Sequence, residues 1–264
     1  MSYPGEPFPA TVPKPASAQM ELLSALSSSL LDCALFLDID GTLLDLADMP
    51  DAIVVPPWLP TALDAASQRL GGALALVTGR ALAYADELFS PFRFPIAGLH
   101  GAQLRRPDGK VAKAETSAAF EALKTDLRKE TEGLEGVLVE DKGAAVAAHY
   151  RLAPERQAQV EPIMERLLSR AGANWTLQRG KMVLEIRPAS ADKGHAVEVF
   201  LSMPPFAGRR PIAIGDDVTD EAMFRVANRH GGHSVRVGSP SETAATLTLP
   251  SASAVRELIA QFAV

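Results

Sequence analysis

Two short strings of this chain carry more carboxylates than a turn needs. Asp38-Ile39-Asp40-Gly41-Thr42 sets two acids two residues apart, straight after an apolar run. Side chains two apart share a face while the backbone is extended. Past a strand end, a turn through Gly41 can swing Asp40 over the carboxylate of Asp38, because glycine accepts either sign of φ. A carboxylate can attack phosphorus when a cation screens the repulsion. A second one can protonate the departing alkoxide and then take a proton from water. The same string also reads as a plain turn or a calcium loop. Gly215-Asp216-Asp217-Val218-Thr219-Asp220 is denser, and such acids repel unless a cation or hydrogen-bond donors hold them. Magnesium prefers oxygen donors and accompanies phosphate. Asp216 is the expected metal residue and Asp217 its support, with Asp220 capping or orienting the next helix.

Two weaker signals belong with these. In Val77-Thr78-Gly79-Arg80 a hydroxyl and backbone N–H groups near a helix start form an anion site. Thr78 could hold a phosphoryl oxygen, and Arg80 could assist or pair with a carboxylate. Alone, the string reads equally as a helix N-cap. Lys193 stands before a helical segment and could neutralise Asp38 and a phosphoryl group, although a single lysine is usually solvated.

The elements that must position these residues are legible as apolar runs. Residues 34–37, 73–77 and 211–214 are continuous apolar stretches, as strands buried on both faces require, and each ends in one of the polar strings. A helix-like segment follows each. The fold class expected is α/β, a doubly wound parallel sheet, whose ligands bind at the carboxyl ends of the strands. The middle of the chain differs. A hairpin is predicted around Pro107, Asp108 and Gly109, then a helix over 117–131, strands at 137–141 and 144–150, a helix over 154–171 and a hairpin across Gly180. This reads as an inserted α+β domain over 104–188, with the core domain formed by 31–103 plus 189–264. Residues 1–30 comprise a proline-rich arm (Pro4, Pro7, Pro9, Pro13, Pro15) and an amphipathic helix over 17–31, carrying Leu22, Leu23, Leu26, Leu30 and Leu31 and expected to dock on the core.

Bulk composition removes several functions. With 264 residues, 47% of them hydrophobic, the chain can build a packed core. A net charge of −6 without a basic run argues against nucleic acid as a partner. Cys33 is the lone cysteine, which excludes an intrachain disulfide and a cysteine-rich zinc site. No apolar run reaches bilayer length, and the N-terminus lacks a signal pattern, so a cytoplasmic protein with no membrane partner is expected, as a monomer.

Taken together, Asp38-x-Asp40-Gly41-Thr42, Thr78, Lys193 and Gly215-Asp216-Asp217 resemble the four motifs of the haloacid-dehalogenase superfamily, in order and in strand-end placement. The insertion lies where that superfamily puts its larger cap. Further strings are similar to trehalose-6-phosphate phosphatases: Ala97-Gly98-Leu99-His100-Gly101, Glu140-Asp141-Lys142-Gly143, His149-Tyr150-Arg151, the run from Gly180 to Pro188 and Gly215 to Glu221. The likeness runs from about Ala34 to the C-terminus. It implies a Rossmann-like core, a magnesium-dependent phosphatase and an aspartyl-phosphate intermediate, with trehalose 6-phosphate as substrate. It implies Asp38 as nucleophile and Asp40 as general acid/base. Magnesium would be held by Asp38, the backbone carbonyl of Asp40 and Asp216. Thr78, Gly79 and Lys193 would bind phosphate, and Glu140, Lys142 and Glu185 the sugar, with Arg80 and His100 near the substrate. Without the likeness, Glu140 and Lys142 read as a solvated turn, and His100 equally as a structural histidine. The alternatives are a phosphatase of sucrose phosphate or mannosylglycerate phosphate, a phosphomutase and a non-catalytic sugar-phosphate sensor.

Overall fold

The apolar runs pair with one another at the centre of an eight-stranded sheet. In this computed structural model, residues 15–28, 30–46, 53–113, 116–180, 182–189, 191–239 and 242–263 are described. The proline-rich arm lies outside them, apart from Pro15. β1 (Cys33–Leu37) is flanked by β2 (Leu74–Val77) and β10 (Arg210–Gly215), both parallel, with Leu37 beside Leu76 and Ile214. The three polar strings therefore leave adjacent strands at the same edge. The order is β12-β11-β10-β1-β2-β3-β4-β5, with β3 (Ile96–Gly98), β4 (Gln103–Arg105), β5 (Val111–Lys113), β11 (His233–Val237) and β12 (Leu247–Leu249) completing the sheet. All residues of β1 and β2 are buried, as a sheet covered on both faces demands. The doubly wound class expected from the runs is what forms.

Helices α2 (Leu59–Arg69), α3 (Leu82–Leu88), α6 (Lys193–Leu201), α7 (Glu221–Arg229) and α8 (Ala252–Ala263) accompany these strands. Phe36 of β1 stacks on Phe206 at 5.5 Å between centroids, and Phe200 of α6 lies 5.1 Å from Phe206. Each fully buried phenylalanine contributes about 1.5–3 kcal/mol. That packing anchors α6, whose first residue is Lys193. Helix α1 (Pro15–Ser28) packs against α8 and β12, with Ala18 and Leu22 fully buried, so the leucine-rich helix does dock. Leu31, predicted on its apolar face, is instead 65% exposed, because the chain leaves the helix for a short 3₁₀ turn at Leu30–Asp32.

A second sheet has order β6-β7-β9-β8, all antiparallel: β6 (Leu138–Asp141), β7 (Val146–His149), β9 (Val183–Pro188) and β8 (Trp175–Gly180). α4 (Ala118–Thr131) and α5 (Gln157–Ala171) cover one face, enclosing Phe120, Leu127, Val146, Ala148, Met164, Leu184 and Ile186 in a separate core. The sequence placed the hairpin around Gly109 at the start of the insertion. Its strands β4 and β5 hydrogen-bond onward from β3 and extend the larger sheet. A hairpin's own turn is local, but the strand it joins is not.

Candidate active site

Asp38 follows β1 directly and is 4% exposed. Burial is the largest influence on it and pushes its carboxyl well above the usual range, with Lys193 opposing. The ammonium of Lys193 donates to Asp38 Oδ1 at 2.8 Å and to Asp220 Oδ1 at 2.6 Å. A cation at the first turn of a helix opposes the helix dipole, so Lys193 sits there for its two carboxylates and not for α6. Burial pushes the Lys193 ammonium downward, but the two acids win and hold it above its ordinary value.

Asp216 enters the same cluster from the end of β10. Its pKa is pushed up to about 6, first by burial and then by the charge of Asp220. Thr42 donates to its Oδ1 at 3.2 Å. Gly41 has φ +77°, and a Cβ there would fall 2.1 Å from Asp216 Oδ2. Both the turn and the close approach therefore require glycine. Oxygens of Asp38, Asp216 and Asp220 lie within 4.8 Å of one another. Three carboxylates against one lysine leave negative charge that suits a hard divalent cation.

Asp217, expected beside Asp216 as a metal residue, is placed elsewhere. It caps the 3₁₀ turn at Val218–Asp220, its Oδ1 accepting from Val218 N at 2.7 Å, and Asp220 takes its place in the cluster. Asp220 accepts three hydrogen bonds: Oδ1 from Lys193, and Oδ2 from the N–H groups of Asp216 and Asp217, both at 2.9 Å. Asp38 and Asp216, each accepting one of the bonds described, are the freer oxygen donors.

Asp40 is gripped by Arg80, which donates through Nε at 2.5 Å and Nη2 at 2.6 Å. The guanidinium also lies 4.4 Å from the Tyr84 ring centroid. Thr78 is fully buried, and its Oγ1 accepts from Arg80 N at 3.1 Å. It does not cap α3, whose N-cap is Ala81. The Thr78–Arg80 loop is tied to the next strand end, since His100 N donates to Thr78 O at 2.9 Å and Leu99 N to Arg80 O at 3.0 Å.

Asp38, Asp40 and Asp216 line a cleft of about 1090 Å³ with Gly79, His100 and Lys193. On the smaller sheet the lining comes from Leu177, Gln178, Met182 and Arg187. Glu140, Lys142 and Glu185, the predicted sugar-binding set, are brought together beside this lining rather than within it. Lys142 donates to Glu185 Oε2 at 2.6 Å, and His149 Nε2 is 2.8 Å from Glu140 Oε2. The sheet register explains their meeting: Glu140 pairs with Ala147, Ala147 with Glu185, and Glu185 with Gln178, a row across four strands on the face without helices. The hydrogen bond from His149 holds Glu140 below the usual carboxylate range, and the charges of Lys142 and Arg80 add to it. Arg187 and Gln178 were missed by the sequence reading; the period-two alternation from Glu185 to Arg187 was the signal available for the former.

The described residues hold no helix long and apolar enough to cross a membrane. The sequence profile of the trehalose-phosphatase family matches residues 36–253. A protein of Sinorhizobium fredii named a probable trehalose-phosphate phosphatase is 64% identical over 244 residues, covering 92% of each chain. The trehalose-6-phosphate phosphatase of Escherichia coli is 39% identical over 207 residues, 78% of this chain and 77% of that one. The C-terminal domain of a C. albicans trehalose-6-phosphate phosphatase superposes with a TM-score of 0.78 at 22% identity, over 92% of this chain and 96% of that one, a likeness of fold. Family profile and relatives agree with the strand-end motifs, and the chain belongs to the trehalose-phosphatase family.

Proposed function

We propose that this chain hydrolyses trehalose 6-phosphate to trehalose and inorganic phosphate through a phosphorylated Asp38. The observation that carries the chemistry is the buried Asp38–Lys193–Asp220 bridge beside Asp216, facing a cleft closed on its far side by the smaller sheet. The substrate identity rests on the 64% and 39% identical relatives.

In this reading an Asp38 oxygen bonds to phosphorus as the ester bond to the sugar oxygen breaks. Lys193 neutralises charge on the phosphoryl oxygens, and Thr78 and the N–H groups of its loop bind them. Asp40 gives its proton to the departing sugar oxygen, then takes one from the water that cleaves the aspartyl phosphate. To do so Asp40 must exchange Arg80 for the substrate. Asp38, Asp216 and the Asp40 carbonyl would hold Mg²⁺, which supplies charge neutralisation at the phosphoryl group when bound. The smaller sheet acts as the cap, with 104–188 as its sequence-based span and the pairing of β4 and β5 favouring a start after Lys113. Its closure excludes water and brings Glu140, Lys142 and Glu185 to the sugar.

The test is phosphate release from trehalose 6-phosphate beside sucrose 6-phosphate and glucose 6-phosphate, with magnesium and with chelator. Magnesium-dependent release from trehalose 6-phosphate alone is expected. Release from another sugar phosphate only would discard the substrate and keep the aspartate chemistry; no release from any would discard both.

A further inference from the structure

Two residues that line the cleft, one from each sheet unit, each carry a buried side-chain atom with no hydrogen-bond partner among the described residues: Nδ1 of His100 and Nη1 of Arg187. Buried polar atoms are seldom left unpaired, and beside a cleft a bound ligand is one group that completes them.

His100 is 8% exposed and its position is enforced. Its backbone is left-handed at φ 57°, after Leu99 at φ 49°, a conformation that costs energy in non-glycine residues and persists where the surroundings impose it. Its ring edge rests on Gly79, where a Cβ would stand 2.9 Å from Cε1 and Nε2. Burial first, then the charges of Lys193, Arg187 and Lys142, holds the ring well below its ordinary pKa, hence neutral. A neutral imidazole has one donor and one acceptor nitrogen.

Arg187 follows Glu185 by two residues on β9 and therefore shares its face. Its Nε donates to Gln178 Oε1 at 2.6 Å, on the neighbouring strand, which orients the guanidinium while Nη1 stays unpaired.

We propose that Arg187 and His100 are specificity-determining residues that read hydroxyl groups of the leaving sugar. This rests on the phosphatase reading above. A phosphoryl oxygen only accepts hydrogen bonds, and Lys193 already stands at the nucleophile to meet it. A hydroxyl both donates and accepts, so it completes an obligate donor such as Arg187 and either nitrogen of a neutral imidazole.

The experiment compares trehalose 6-phosphate with p-nitrophenyl phosphate, whose leaving group carries no further hydroxyl, in wild type, Arg187→Met and Arg187→Lys. The ratio of kcat/KM for sugar over aryl phosphate is expected to fall about 10–100-fold in Arg187→Met, mainly through KM, as losing a charged hydrogen bond implies. Arg187→Lys, which keeps a donor, should recover part of the ratio and serves as the measurement if Arg187→Met does not fold. An unchanged ratio in the folded variants, with both rates intact or both reduced, overturns the proposal. Wild-type inactivity on trehalose 6-phosphate would instead defeat the substrate assignment, and the same ratio is then read with whichever sugar phosphate wild type hydrolyses.

Discussion

Replacing Lys193 by methionine keeps the apolar stem and deletes one buried charge that serves two buried acids. Asp38 and Asp220 are 4% and 0% exposed, and the lysine reaches them at 2.8 and 2.6 Å. Breaking a buried ion pair from one side costs about 3–5 kcal/mol, because the remaining charge is left uncompensated. A domain of 150–250 residues loses about 2–4 °C of Tm per kcal/mol, so Lys193→Met should melt roughly 10 °C below wild type at pH 7.5 in chelator. The pH dependence carries a sign. The folded-state pKa of Asp38 already lies above its unfolded value and rises further without the lysine. Protonation therefore favours the folded variant, and the gap to wild type should narrow as pH falls. The double variant Lys193→Met/Asp220→Asn should be less destabilised than the sum of the singles, since it removes both ends of one interaction. Differential scanning fluorimetry across pH 5–8 measures all three. A gap under about 2 °C, or one that widens on acidification, would refute the view that this lysine compensates buried carboxylates.

Three further outcomes follow from the same geometry. Asp38→Asn should lower turnover by about 10³-fold or more while keeping the wild-type circular dichroism spectrum; wild-type-like turnover would rule out Asp38 as nucleophile. The Asp216 carboxyl, raised to about 6 by burial and by Asp220, must lose its proton before it ligates. Magnesium affinity from metal-dependent Tm shifts should thus be about tenfold weaker at pH 5 than at pH 7.5, and a flat affinity would contradict the assignment. The fully buried Leu22 of α1 should cost about 2–5 kcal/mol on change to alanine, seen in urea unfolding, if α1 is an integral layer of the fold.

The central strands were legible because their apolar runs are unbroken and stop abruptly at polar residues; β1, β2 and β10 fall where the runs do. β3 and β12 are three residues each, too short to leave a period, and β11 carries His233 and Arg236 among its apolar residues. Within the site, residue type pointed to the acids but could not divide labour among Asp216, Asp217 and Asp220. That is decided by a capping turn, which spends Asp217 on Val218 and turns Asp220 inward. The Arg80 grip on Asp40 joins residues 40 apart in sequence, and the pairing of β4 with β3 joins a hairpin to a sheet. Neither leaves a local trace.

The row from Glu140 through Ala147 and Glu185 to Gln178 has a consequence for how this protein can change. Along β9, Glu185 and Arg187 look towards the ligand side, while Leu184 and Ile186 between them belong to the core under α4 and α5. Under the proposed function, adjacent codons thus answer to different demands, alternate ones to selectivity and the rest to folding. Ala147 is the small member at the centre of the row. A library that varies only the odd-numbered positions of β9 with Ala147 and Gln178 would explore new leaving groups while the nucleophile and its lysine, on the other sheet, stay as they are.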